Sequence, residues 1–232
     1  MSHLEVDSIH SYYGESHILE GVSLEVGDDE VVALMGRNGV GKTTTIRSIL
    51  QLTPPREGRV TYDGEDLVGL ATYEVSNRGI GWIPEDRRVF AHLTVDENLR
   101  AAIPRDADPQ RRRQIAFETF PILEERRSQR AGTLSGGQQQ MLAIARGLVG
   151  DYEMLLVDEP SEGLAPQIVA DVADALADVA DRVPLLLVEQ NVHMALDLAD
   201  RFYVLDQGQV VDQGDTSEVS ADSERLTEVL SA

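Results

Sequence analysis

Apolar and polar positions change rhythm along this chain, and the changes divide it into elements. HLEVDSIHSYYG and ILEGVSLEV read as short strands, followed by a turn at GDD and a third strand, EVVALMG. Glycines follow. KTTTIRSILQL then takes up helical spacing, with Ile46, Ile49 and Leu50 on one face. GRVTYDGEDL has the form of a hairpin turning at Asp63-Gly64, and GIGWIP that of a strand closed by proline. From about Val95 to Gly150 the pattern is mostly helical, in TVDENLRAAI, PQRRRQIAFETFPILEERR and GGQQQMLAIARGLV. Strands and helices alternate afterwards, as EMLLVDEP, PQIVADVADALADVADR, PLLLVEQ, NVHMALDLAD and RFYVLDQG. Near-continuous apolar strands separated by helices predict a buried parallel sheet, here interrupted by a helical insertion.

The helix predicted over Gln167 to Arg182 shows its orientation. Val169, Val172, Leu176 and Val179 fall at i, i+3, i+7 and i+10 and can face the sheet. Asp171, Asp174, Asp178 and Asp181 form a separate ridge, which reads as a solvated face.

Composition narrows the picture. The 232 residues, 42% of them hydrophobic, have the size and core of a single domain spanning 1–232, with a helical subdomain near 86–150. No cysteine is present, so disulfides and thiolate metal sites are excluded. The five histidines have no ligand-like spacing. The N-terminus MSHLEVDSIH lacks the basic flank and apolar run of a signal peptide. The longest apolar runs, VVALM, MLLV and PLLLV, fall far short of the ~20 residues of a membrane helix. A cytoplasmic location is expected, with any membrane role exerted through a partner.

The net charge is −21. Such a chain is a poor match for a nucleic-acid backbone or an anionic membrane surface. Lys42 is the sole lysine among 20 lysines and arginines. A GC-rich genome would explain the missing lysines but not the acid excess; adaptation to high salt explains both, since surface carboxylates keep a protein hydrated while salt screens their repulsion. A halophilic protein is expected. Residues 86–132 depart from the acidic coat, with ten arginines against eight acids. They read either as a solvated helix surface or as a docking surface.

Chemistry concentrates in three places. The first is GRNGVGKTT, running from Gly36 through Arg37, Asn38, Gly39, Val40 and Gly41 to Lys42, Thr43 and Thr44. It fits the phosphate loop G-x-x-x-x-G-K-[ST] and lies between a strand and a helix, as that loop requires. Its glycines let backbone N–H groups converge on phosphate oxygens, and the helix N-terminus adds its dipole. Lys42 is expected on the β- and γ-phosphates of ATP and Thr43 on Mg²⁺. The second is EMLLVDEP, an apolar strand ending in Asp158, placed for Mg²⁺, and Glu159, placed as base toward an attacking water. These two predict an α/β fold with a P-loop NTPase (RecA-like) core. The third is LSGGQQQMLAIARGLV, where Ser-Gly-Gly opens a helix and forms another potential anion site.

With LSGGQ at Leu134, Ser135, Gly136, Gly137 and Gln138, the chain resembles the ATP-binding cassette (ABC) family over nearly its whole length. The resemblance implies an N-terminal antiparallel β subdomain, an inserted α-helical subdomain and a head-to-tail pair with a second ABC ATPase subunit. The signature Leu134–Gln138 of one subunit then completes the nucleotide site of the other. DNA-repair and chromosome-organising ATPases carry similar signatures but insert long coiled coils or zinc modules, and this chain has neither. An aromatic residue stacks on adenine in the family; Tyr13 of SYYG is preferred here over Tyr12. SEGLAP, Ser161 to Pro166, matches the loop that communicates across the pair, with Ala165 at its usual closing aspartate. Two further positions depart from the family pattern. Glu85 stands where a glutamine commonly contacts Mg²⁺ and the membrane partner, and Gln190 stands where a switch histidine is usual. Glutamine can still donate to a γ-phosphate but cannot titrate as histidine does.

These features, with LTVDENL and ADRFYVLDQGQVVDQG, resemble the ATP-binding subunits of branched-chain amino-acid importers; urea and amide importers are close relatives. The resemblance implies integral membrane permease subunits fed by an extracytoplasmic solute-binding protein. It puts this chain peripherally on the inner face of the membrane, with no nucleic acid as partner. A soluble ATPase acting on ribosomes or DNA is the alternative of a different class. Such ribosomal proteins usually join two cassettes and need a basic surface.

Overall fold

A computed structural model describes residues 2–221 together with 223, 224 and 226. Two sheets organise them. Strands β1 (Ser2–Tyr13) and β2 (Ser16–Gly27) form an antiparallel hairpin. With β4 (Glu57–Tyr62) and β5 (Glu65–Asp66) they make a four-stranded sheet in the order β2-β1-β4-β5. The β4–β5 turn comes at Asp63-Gly64, both left-handed at φ 49° and 77°, the two-residue hairpin that this dipeptide predicts.

The second sheet has six strands, in the order β10-β9-β3-β8-β7-β6. They are β3 (Val31–Met35), β6 (Ile80–Ile83), β7 (Met154–Asp158), β8 (Leu185–Glu189), β9 (Arg201–Asp206) and β10 (Gln209–Asp215). All adjacent pairs are parallel except β9–β10. Side chains of a strand alternate between its faces, so a strand covered on both must be apolar throughout. In β3, Val31, Ala33 and Met35 join one core cluster while Val32 and Leu34 join the other. Leu185 and Leu187 of β8 are likewise divided from Leu186 and Val188.

Helices cover the first of these faces. They are α3 (Val95–Ala102), α4 (Pro109–Thr119), α5 (Pro121–Glu125), α6 (Gly136–Val149), α7 (Pro166–Ala180) and α8 (Val192–Leu198). The other face packs on the four-stranded sheet and α1 (Lys42–Ile49). Val172, Leu176 and Val179 of α7 are buried and Asp171, Asp174, Asp178 and Asp181 are exposed, as their spacing predicts. None of the described helices is long and apolar enough to cross a membrane.

Two elements escape the sequence pattern. One is the short helix α2 (Thr72–Ser76), in which only Val75 is buried. The other is β10, which turns back from β9 through Gln207 and Gly208, at φ 44° and 78°. It lies on the sheet edge with no buried residue, so no apolar run announces it. The insertion's ends are set locally. Thr94 caps α3, accepting from Glu97 N at 3.2 Å while Glu97 accepts from Thr94 N at 2.8 Å. Such a capping box contributes about 1 kcal/mol. In the Arg111–Arg113 run, Arg112 donates to Gly150 O and pairs with Asp151, and Arg113 pairs with Asp96. Those two charges are committed within the fold, and Arg111 is exposed.

Candidate nucleotide site

Parallel pairing brings the carboxyl ends of β3, β7 and β8 to one edge of the sheet. The phosphate loop follows β3, Asp158 ends β7 and Glu189 ends β8. Crevices of open α/β sheets form at that edge. The loop fits tightly. A Cβ on Gly36 would stand 2.4 Å from Leu205 O, and one on Gly41 2.6 Å from a Leu19 methyl. Gly41 also caps α1 in a left-handed conformation, φ 115°, with no side-chain cap. Arg37, Asn38 and Gly39 are exposed on the crown of the loop, Val40 is half-buried and Thr44 is buried.

Lys42 is only 3% exposed. Its Nζ donates to Gly36 O at 2.8 Å and Arg37 O at 2.9 Å, and lies 3.0 Å from Glu159 Oε1. Glu159 is itself buried and left-handed, φ 44°, a conformation that for a non-glycine residue costs about 1–3 kcal/mol. Thr43 Oγ1 donates to Asp158 Oδ1 at 3.2 Å. Oδ2 of Asp158 is buried without a hydrogen-bond partner. Burial pushes the Asp158 carboxyl up to about 6 against the pull of the Thr43 bond, and Glu159's charge adds to the rise. An unpartnered carboxylate oxygen beside a threonine hydroxyl is the donor set that a hard cation such as Mg²⁺ takes.

The cleft over these groups, about 220 Å³, is lined by Tyr13, Ile18, Gly39, Gly41, Lys42, Thr43, Thr44 and Glu159. The two largest of the clefts that exceed it, of about 650 and 740 Å³, lie on the four-stranded sheet and beside α2. They contain neither a phosphate loop nor a buried cation, so chemistry and not volume picks out the site. Tyr13 is 44% exposed at the cleft, and its hydroxyl accepts from Thr53 Oγ1 at 3.5 Å. The Tyr12 ring is occupied elsewhere, stacked on His17 at 4.2 Å and covered by the Arg56 guanidinium at 4.2 Å. Of the two tyrosines, Tyr13 is the one free to meet a base.

Glu85 is drawn toward the same acids. A hydrogen bond with Glu162 pushes its carboxyl up to about 7, helped by burial and by the charges of Glu162, Glu159 and Asp158. Gln190 follows β8 with its side chain exposed, and its N–H donates to Glu189 Oε2 at 3.0 Å. The signature residues are not brought to this cleft. Leu134 is buried, and Ser135 caps α6. Ser135 Oγ accepts from Gln138 N at 3.3 Å, and Gln138 Oε1 accepts from Ser135 N at 3.1 Å. Gln138 is thus engaged in a capping box, with Gly136 exposed and Gly137 half-buried in the first turn.

Glu189 was missed by sequence reasoning. It is buried and accepts from Ser161 N, Gln190 N and Asn191 N at 2.9–3.0 Å, tying the SEGLAP loop to the end of β8. Burial raises its carboxyl above the ordinary range against those hydrogen bonds. The available signal was an acid closing a strand that is apolar at every other position.

Known proteins agree with this geometry. Residues 19–162 match the ABC transporter family. The chain is 44% identical over 211 residues to the high-affinity branched-chain amino acid transport ATP-binding protein BraG of Pseudomonas aeruginosa, spanning 90% of this chain and 91% of that one. It is 34% identical over 230 residues to the lipopolysaccharide export system ATP-binding protein LptB of Haemophilus influenzae, spanning 97% and 95%. A crystal structure of a nucleotide-free ATP-binding cassette from an ABC transporter matches with a TM-score of 0.81 at 27% identity, over 100% of this chain and 96% of that one. With a phosphate loop, a paired acid strand and a capped signature helix on one such fold, the chain belongs to the ABC transporter family, as an ATP-hydrolysing subunit of a transporter.

Proposed function

We propose that this subunit powers import of branched-chain amino acids, paired head to tail with a second ABC ATPase subunit, either a copy of itself or a sister chain. The observation that carries the hydrolytic part is the juxtaposition of Lys42 with Glu159 and of Thr43 with Asp158 in one cleft. Mg²⁺, held by Thr43 and Asp158 with Glu85 nearby, would neutralise phosphate charge. Lys42, on its flexible stem, would exchange its carbonyl contacts for the β- and γ-phosphates. Glu159 takes a proton from the attacking water, whose oxygen bonds to the γ-phosphorus as the bond to the β-phosphate oxygen breaks, leaving ADP and phosphate. Tyr13 stacks on adenine, and Gln190 donates to the γ-phosphate. The second subunit's Leu134–Gln138 segment closes the site. Permease subunits hold the pair at the inner face of the membrane through the Glu85 loop and the helical insertion.

The amino-acid part rests on likeness to BraG and on Glu85 in Pro84–Arg87, the SEGLAP loop and Gln190 in Val188–Asn191. Likeness to LptB supports a second reading, an exporter subunit. The test is ATP turnover by the subunit reconstituted with its permeases. Stimulation by a leucine-loaded binding protein, and not by a urea-loaded one, is expected. Turnover indifferent to any binding protein would favour the exporter. The acidic coat, with exposed Asp171, Asp174, Asp178 and Asp181, supports a protein suited to high salt.

A further inference from the structure

The loop after β6, residues 84–90, lies along one face of α6. The Arg87 guanidinium covers Gly136: a Cβ there would stand 3.1 Å from Arg87 Nη1. One turn further on, Arg87 Nε donates to Oε1 of buried Gln140 at 3.2 Å. Beyond that, Arg146 donates to Arg88 O at 2.6 Å, and its guanidinium lies over the Phe90 ring at 4.6 Å. Gly147 admits Ile83, the last residue of β6, whose Cδ1 would be 2.7 Å from a Cβ there. Positions 136, 140 and 147 share a helix face, so the contacts form one seam. On another side of the same helix end, Ile168 of α7 presses on Gly137, 2.9 Å from where a Cβ would be.

The loop itself is held in shape. Arg87 and Arg88 are consecutive left-handed residues, φ 59° and 44°, a conformation rarely seen outside glycine. Arg87 N donates to Pro84 O at 3.0 Å and Arg88 N to Asp86 O at 2.6 Å. Two residues after Glu85, this segment meets the first glycine of the chain's signature through Arg87.

We propose that Arg87 is a positioning residue that holds the Ser135–Gly137 end of α6 against the loop after β6, in the orientation in which the signature meets the nucleotide of the second subunit. This rests on the paired-subunit reading above. Arginine suits the task because its planar fork donates through Nε to Gln140 while its face lies on Gly136; a lysine ammonium cannot do both. Arg87 does not line the Lys42 cleft, so its loss leaves single-chain binding of ATP intact.

The experiment uses the full chain carrying Glu159→Gln, in which blocked hydrolysis lets an ATP-bound pair accumulate. Pairing is followed by size and light scattering as ATP is titrated, with the cognate second subunit added if the two are different chains. A fluorescent ATP analogue reports binding to the single chain. Adding Arg87→Ala is expected to raise the ATP concentration for half-pairing about ten-fold, the size of an ordinary coupling between sites, with analogue binding unchanged. Gln140→Leu should act in the same direction, and Gln140→Glu, which keeps an acceptor for Nε, should pair like the parent. If Gln140 served packing alone, the order would reverse, because a buried carboxylate is harder to accommodate than a leucine. Pairing of the Arg87→Ala chain at the parent's ATP concentration would overturn the proposal. A parent chain that never pairs, alone or with its cognate subunit, would overturn the paired reading itself and this inference with it.

Discussion

Two helix N-termini in this molecule are built to face anions, and they differ in construction. At α1, Gly41 offers no side-chain cap, and the loop in front is pressed against β2 and β9, with a buried lysine beneath it. At α6, Ser135 and Gln138 have already satisfied one another's backbone groups, and the turn between them is flanked by the Arg87 guanidinium at Gly136 and by Ile168 at Gly137. The first end is complete within one chain. The second has no buried lysine beneath it, and in the proposed pair it meets a phosphate held by the other subunit. Binding and turnover should therefore separate: α1 governs whether one chain holds nucleotide, and α6 governs whether two chains use it.

The sharpest break of this contrast is Lys42→Arg. A guanidinium is broader than an ammonium and its donors are fixed, so the cleft loses its fitted cation. ATP turnover, followed by phosphate release, should fall about 10²-fold or more, the usual cost of removing a preorganised donor from phosphate charge. Full activity would mean that the lone lysine marks nothing special.

Asp158→Asn tests how much charge the α1 end stores. The Asp158 carboxyl is held up to about 6, well above its ordinary value. Its contribution to folding is thus fully present below the ordinary carboxylate value and is lost as pH rises through about 6. At about 1.4 kcal/mol per unit, the nucleotide-free variant should be about 2–3 kcal/mol more stable than the parent at pH 7 while losing hydrolysis. Urea melts at pH 4 and pH 7 check the sign: the gain should shrink at the lower pH.

Ser135→Ala acts on the other helix end. It removes the cap of α6, about 1 kcal/mol of stability, and should leave binding of a fluorescent nucleotide to the single chain unchanged. Weakened binding would show that the two ends are not independent. The smallest effect is expected at Gln190. Gln190→Ala should lower kcat with little change in KM, and the pH profile of the parent should lack the step that a histidine there would add. Unchanged turnover would remove Gln190 from the mechanism.

Much of this was legible in the chain. β3, β7 and β8 announce themselves because burial on both faces demands unbroken apolar runs, and α7 because its apolar and acidic stripes keep helical period. Gly36 to Thr44 could be read because strand, loop and helix are consecutive in sequence, and Asp158 and Glu159 because they close an apolar strand of their own. β10 could not, since an edge strand with no buried residue carries no hydrophobic signal. Glu189 and Gln140 were equally silent: the side chain of Gln140 bonds to Arg87, 53 residues away, and the bond that ties Glu189 to the SEGLAP loop comes from Ser161, 28 residues away.

By itself the sequence determined the order of the main strands and helices, the phosphate loop with its single lysine, the acid pair and the helix that LSGGQ opens. All of these are set by neighbours within a few residues, where spacing and backbone chemistry suffice. Only the tertiary structure decided that Tyr12 is taken up by His17 and Arg56 while Tyr13 faces the cleft. It alone laid the fork of Arg87 over Gly136 and its Nε on Gln140. Those contacts depend on which faces of distant elements meet, and that is fixed by packing two layers onto one sheet, not by any local pattern.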